Sequence, residues 1–284
     1  MKITKTIAEI RSLLENERSA NRSLGFVPTM GALHEGHLSL VRACRQKCGI
    51  TIVSIFVNPT QFGPAEDLDK YPRSIEEDIA MLESAGADVL FLPTAEEMYP
   101  HGSSTFVIVE DVAAGYEGAI RPTHFRGVAT VVASLFHIVQ PDIAFFGQKD
   151  LQQVAVIKKM VRDLHVPIRI EIGATVREAD GLAMSSRNRY LSSEERAEAL
   201  ILSQTLAYVR ENLISGLPPA EVKLLGIKYF DSLKKRAILD YLDIIDPETF
   251  HSADSFKSAK ETGVVIAAKI GATRLIDNIL LEAQ

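Results

Sequence analysis

Two imidazoles stand three residues apart in VPTMGALHEGHLSLV, where an apolar run gives way to a helical pattern. Leu24–Pro28 reads as a strand, Gly31 as a tight turn, and the HEGH of His34 to His37 as the opening of a helix. Residues i and i+3 share a helix face, so both rings can reach one ligand. A helix N-terminus offers unpaired N–H groups and partial positive charge, and Gly36 would let an anion approach closely. This suits a polyphosphate. The metalloprotease pattern H-E-x-x-H needs histidines four apart, which disfavours zinc. A pair of structural histidines on a solvated turn is the plainer alternative.

Three further segments carry polar side chains at similar places. In FVNPTQFGPAEDLDKYPRS, Asn58 and Gln61 lie just past the strand-like run Ile50–Asn58. Ligands bind at such strand ends in open parallel sheets, and uncharged amides suit a hydroxylated substrate. An Asn58 that only bonds its own turn is the alternative. Glu77 and Asp78, on the next helix, read most simply as solvated charges. In FFGQKDLQQ, Gly147 makes a turn, Lys149 can meet a phosphate, and Asp150 can cap a helix or bind a ribose hydroxyl. Gln153 lies one turn further on. In TVREADGLAMSSRNRYLS, Gly181 and its small neighbours imply a mobile loop, with Ser185, Ser186 and Arg187 as phosphate donors. Each segment offers donors rather than metal ligands. Together they favour a nucleoside triphosphate site without the Walker sequence GxxxxGK[ST], which is absent.

The elements that must position these residues alternate in type over the first part of the chain. Strand-like 24–28, 50–58, 88–93, 142–147 and 168–175 are separated by helical 36–48, 75–84, 126–140 and 151–164, the pattern of a parallel sheet with crossover helices. Ile50–Asn58 is the strongest strand and is expected to be buried on both faces. STFVIVE, from Ser104, reads as an additional strand, and Pro141 should end the third helix. After about Thr175 the pattern changes. SSEERAEALILSQTLAYVRENLI reads as one long helix capped by Ser192 or Ser193, followed by a helix from Pro219 to Lys235. YLDIID, GVVIAAKIG and TRLIDNI then suggest a small antiparallel sheet. The expected domains are 1–175, α/β, and 176–284, α+β.

The chain has 284 residues, 46% hydrophobic and 24% charged, enough for a full-sized core. A net charge of −6 argues against generalised nucleic-acid binding. No apolar run approaches the roughly 18–20 residues that span a bilayer, and MKITKTIAEIRSLLENERS lacks the core of a signal peptide. Cys44 and Cys48 read as packing residues in a reducing, cytoplasmic setting.

Six ordered stretches, VPTMGALHEGH, SIFVNPTQFG, DLDKYPR, RPTHFRG, QPDIAFFGQKDLQQ and TVREADGLAMSSRNRYLS, resemble the pantothenate synthetase (pantoate–β-alanine ligase) family across nearly the whole chain. The tail TRLIDNI is similar to that family's ending. Six motifs in order are far more specific than HxGH alone. One departure is Gln148, where the family usually has glutamate in GEKD.

The resemblance implies a Rossmann-like domain binding ATP and pantoate, a smaller α+β lid, and ATP-driven joining of pantoate to β-alanine through a pantoyl adenylate. It implies that Met30, Gly31, Ala32, Leu33, His34, Glu35, Gly36 and His37 form an ATP-binding turn, with His37 catalytic. Gly147, Gln148, Lys149, Asp150 and the backbone of Val176 would contact the nucleotide, and Met184, Ser185, Ser186 and Arg187 would close over its phosphates. Gln61, Gln153 and Asn58 would hold pantoate or β-alanine, and Glu77 or Asp78 would help place Mg²⁺. A homodimer is also implied, with neither nucleic acid nor membrane as partner. The alternative readings are an HxGH nucleotidyltransferase acting on a phosphorylated acceptor and a non-catalytic nucleotide-binding module.

Overall fold

Short β-rich runs pair side by side to make the larger sheet. Among the described residues these are β1 (Lys2–Thr4), β2 (Leu24–Thr29), β3 (Ile50–Ile55), β4 (Val89–Phe91), β5 (Ile143–Gly147) and β6 (Arg169–Gly173). All run parallel in the order β1-β4-β3-β2-β5-β6. Every residue of β3 is buried, as expected for a central strand covered on both faces. This computed structural model describes residues 1–63, 68, 71–253, 255–256 and 261–282. Asp67, Asp69 and Lys70 of the DLDKYPR stretch lie outside the described residues.

The crossovers are α1 (Ile7–Ser19), α2 (Glu35–Lys47), α3 (Ile75–Ala85), α4 (Ala95–Met98), α5 (Glu117–Ile120), α6 (His124–Val139) and α7 (Leu151–Asp163). Thr6 and Glu9 close α1 with a reciprocal capping box. Helix α6 stops before Pro141, as the sequence predicts. Cys44 and Cys48 are free thiols beside Gly25, where a side chain would collide with both sulfurs. Burial pushes the Cys44 thiol up to about 12, in keeping with a packing role.

Two expectations for this part change. β1 hides in the polar start of the chain, where no apolar pattern marks it. Conversely, STFVIVE forms no strand: the Val107 N–H goes to Thr130 Oγ1 at 3.0 Å, and Phe106 and Ile108 are exposed. The Arg126 guanidinium lies 4.7 Å from the centre of the Phe106 ring. β-Propensity alone makes no strand where backbone partners are lacking.

The chain divides into two compact units, Met1–Gly147 with Val156–Ala174, and Gln148–Ala155 with Thr175–Gln284. The second contains α8 (Ser193–Glu198), α9 (Ile201–Ile214), α10 (Pro219–Leu233) and the antiparallel strands β7 (Ile238–Ile245), β8 (Glu261–Ile270) and β9 (Thr273–Glu282). Leu206, Val209, Phe230, Val264 and Ile266 belong to its core. The single long helix expected from Ser192 is instead broken at Ala199–Leu200. At the break the Glu198 carboxylate accepts the backbone N–H groups of Lys235, Arg236 and Ala237 at 2.8, 2.6 and 2.8 Å. Ser192 is the cap, paired with Glu195 in a capping box.

Candidate active site

In chain order, the four polar segments follow β2, β3, β5 and β6, which are adjacent parallel strands. After β2, Gly31 has φ +84° and Ala32 φ +50°, left-handed values that are ordinary for glycine but costly for alanine. The turn is held by Asp78, whose carboxylate accepts the N–H groups of Ala32 at 2.9 Å and Leu33 at 2.8 Å. Asp78 is fully buried, so it is neither a solvated charge nor an open magnesium ligand. Backbone donors compensate its burial. Glu77 is exposed, and among the described residues no group of three or more His, Cys, Asp or Glu side chains could hold a metal.

His34 caps α2. Its Nδ1 accepts the Gly36 N–H at 3.2 Å, and His37 Nδ1 reciprocates by accepting the His34 N–H at 3.3 Å. A neutral imidazole whose Nδ1 accepts carries its proton on Nε2. The two rings, 4.1 Å apart between centroids, are therefore paired Nε2–H donors. This changes the meaning of Gly36. Its N–H is already capped, and a Cβ there would lie 2.9 Å from His34 Cε1 and Nδ1. The missing side chain makes room for the capping imidazole, so the Gly36 amide is not the open donor that the sequence suggests.

Past β3, Asn58 is 1% exposed and fully engaged within the protein. Its Nδ2 donates to Gln61 Oε1 at 3.0 Å and to the Gly127 carbonyl at 3.2 Å. Its Oδ1 accepts from the Thr60 hydroxyl at 2.9 Å and the Tyr99 hydroxyl at 2.8 Å. Burial pushes the Tyr99 phenol above its ordinary range, which keeps this donor protonated. Asn58 thus fixes Gln61 rather than turning its own amide outward, against the expectation of a substrate contact. Gln61 Nε2 meets the weak acceptor Met30 Sδ at 3.2 Å, an easily exchanged partner.

The sequence stretch RPTHFRG acts on the same turn. His124 Nδ1 donates to the Gln61 carbonyl at 3.0 Å, which leaves Nε2 to accept from Arg121 at 3.3 Å. A Cβ on Gly127 would sit 2.6 Å from Gln61 Cα, so α6 and the turn Pro59–Gln61 touch backbone to backbone.

In the second unit, Gln148–Asp150 form a short 3-10 turn, with Lys149 paired to Asp150 at 3.7 Å. Gln153 is half-buried in the first turn of α7. Val176 to Met184 is a folded hairpin rather than the expected mobile loop. The Met184 N–H bonds the Val176 carbonyl at 3.0 Å, Arg177 and Ala183 form a bridge, and Gly181 turns at φ +97°. Leu182 and Ala183 are buried. Arg196 bonds Asp180 at 2.9 Å, holding that carboxyl below its usual range, and Glu178 at 2.7 Å. Ser185 caps the turn Ser186–Tyr190 by accepting the Arg187 N–H at 3.3 Å. Lys149, Ser185, Asn188 and Asp277 line one small cleft of this unit.

The profile described as pantoate-beta-alanine ligase matches residues 2–280. The chain belongs to the pantoate–β-alanine ligase family. Pantothenate synthetase of Acidobacterium capsulatum is 51% identical over 293 residues, spanning 99% of this chain and 97% of that protein. The crystal structure of pantothenate synthetase from Thermus thermophilus has a TM-score of 0.93 at 46% identity, covering 98% of this chain and 99% of that one. Pantoate-beta-alanine ligase from Francisella tularensis, solved in complex with beta-gamma ATP and β-alanine, has a TM-score of 0.79 at 35% identity, covering 99% and 97%. The protein is an enzyme of this pantoate–β-alanine ligase class, with the family's parallel sheet followed by a small antiparallel one. No helix among its described residues is long and apolar enough to cross a membrane.

Sequence reading missed Asp78 as a turn anchor, His124 as a clamp, and the buried pair Asp277–Asn278. Only the last left a local signal, two polar residues within the apolar run Leu275–Leu281.

Proposed function

We propose that this protein condenses pantoate with β-alanine, using ATP and releasing AMP and pyrophosphate through a pantoyl adenylate. The paired imidazoles of His34 and His37 at the N-terminus of α2 carry the reading, because two ring donors beside a helix start suit a polyphosphate. A pantoate carboxylate oxygen attacks the α-phosphorus, and the bond to the β-phosphate breaks, with its electrons leaving on pyrophosphate. The β-alanine amine then attacks the acyl carbon. The acyl C–O bond breaks, AMP departs, and the amine loses its proton to form the amide.

His37 stabilises charge in the first step, and His34 binds the phosphates while holding the helix start. Gln61 and Gln153 hold pantoate, with Asn58, Tyr99 and His124 keeping Gln61 in place. Gly147, Lys149, Asp150 and the Val176 backbone bind nucleotide, and Met184 to Arg187 grip its phosphates as a lid. Residues 1–175 are assigned mainly to ATP and pantoate, and 176–284 to the lid.

Asp78 is buried with each oxygen accepting a backbone N–H, and no third His, Cys, Asp or Glu among the described residues joins it and Glu77 in a metal-binding group. Mg²⁺ is assigned as a companion of ATP, held by phosphates and water. A cytoplasmic homodimer completes the reading. Incubating the protein with ATP, pantoate and β-alanine, omitting each in turn, tests it. Pantothenate should form only in the complete mixture, and its absence there would refute the assignment.

A further inference from the structure

Two consecutive polar residues interrupt β9, and both Asp277 and Asn278 are 3% exposed. Asn278 Nδ2 donates to the carbonyls of Gln148 at 3.0 Å and Lys149 at 2.8 Å, and its Oδ1 accepts from Gln148 Nε2 at 3.2 Å. The Asp277 carboxylate accepts from both terminal guanidinium nitrogens of Arg177, at 2.7 and 3.0 Å. Arg177 also donates to the carbonyls of Gly181 at 3.1 Å and Asn278 at 3.3 Å. Neighbouring residues on a strand project to opposite faces, so one dipeptide can hold two separate stretches of chain.

The stretches held are the Gln148–Asp150 turn and the hairpin leading from Val176 to Arg187. We propose that Asp277 and Asn278 are positioning residues for ATP, fixing these two stretches in one frame so that Lys149 and Ser185 line a common cleft. The inference rests on the nucleotide-binding reading above. Burying an amide and a carboxylate costs desolvation that apolar side chains would avoid. Here the cost is offset by specific partners: Asp277 bonds Arg177 on one face of the strand, and Asn278 bonds the Gln148–Asp150 turn on the other.

The same geometry explains why an amide suits position 148. Two donated bonds occupy the Nδ2 group of Asn278, and its Oδ1 accepts from the residue 148 side chain. Gln148 supplies the donor. A glutamate would lack this donor, so its side chain would have to turn away from Asn278 Oδ1.

Calorimetry with a non-hydrolysable ATP analogue, on Asn278→Ala, Asn278→Asp and Gln148→Glu, tests the proposal alongside thermal unfolding and ligation kinetics. Losing two of these hydrogen bonds should weaken the analogue about tenfold. The KM for ATP should rise in parallel while the KM for pantoate stays within about twofold of wild type. Gln148→Ala and Asn278→Ala should also combine non-additively. Unchanged analogue affinity, or equal loss for ATP and pantoate tracking a lowered Tm, would overturn the proposal. Gln148→Glu leaves β9 intact and supplies the comparison where an Asn278 variant fails to fold. The binding arm needs no turnover, so wild-type protein that holds the analogue but makes no pantothenate overturns the ligase reading alone.

Discussion

Each histidine of HEGH combines two functions that substitutions can separate. His34 is the cap of α2, and in the proposed function it also donates to ATP through Nε2. His34→Ala should lower stability by about 1 kcal/mol, the usual cost of a lost cap, and weaken ATP binding. His34→Asn keeps a good capping side chain but lacks the Nε2 donor. It should recover the stability and leave the ATP deficit, as read by thermal unfolding and calorimetry. His37→Ala should slow adenylation by about 10²–10³ with a smaller loss of ATP affinity, the signature of a donor aimed at developing charge. Near-normal single-turnover adenylation in that variant would remove His37 from the catalytic machinery. The histidine pair is legible from sequence because spacing and helix position suffice to place both rings on one face. The roles of Gly36 and Asp78 are not, since the first depends on how the neighbouring His34 ring is turned and the second on amide N–H groups about 45 residues away.

At the level of elements, the central strands and crossover helices are readable because burial leaves a strong hydrophobic pattern in β3, β5 and α6. The errors occur where local pattern and tertiary partners disagree. STFVIVE has strand-like residues without a strand, and the hairpin around Gly181 reads as a loose linker because its anchors, Asp277 and Arg196, are remote in sequence. The contact of α6 with the Gln61 turn gives a sharp test of element packing. Gly127→Ala would push a methyl group against the backbone of Thr60 and Gln61. Overpacking should cost about 1–3 kcal/mol and raise the KM for pantoate more than that for ATP. Gln61→Ala should share this selectivity without the stability loss. Equal damage to both substrates in folded Gln61→Ala would make the residue part of the scaffold.

For the whole molecule, the two kinds of sheet are visible in the sequence, whereas the inclusion of residues 148–155 in the second unit is not, because the chain runs continuously from β5 into α7. In the proposed function, Ser185, Ser186 and Arg187 of that unit contact the ATP phosphates. Hydrogen exchange over residues 176–190 should therefore slow when a non-hydrolysable ATP analogue binds, and Arg187→Ala should reduce that protection and slow adenylation. Arg187→Lys should restore only part of the rate, because it lacks the planar fork that grips phosphate at two points. A segment equally protected with and without nucleotide, together with full activity of Arg187→Ala, would argue against this role.

The central claim is two-step chemistry on ATP, and it is tested most directly by withholding the second acceptor. Protein mixed with ATP and pantoate alone should, on quenching and mass spectrometry, yield enzyme-bound pantoyl adenylate with matching pyrophosphate before any β-alanine is added. Adding β-alanine should then convert the adenylate to pantothenate and AMP. Pyrophosphate that forms only when the amine is present, with no adenylate at any time point, would contradict the two-step mechanism.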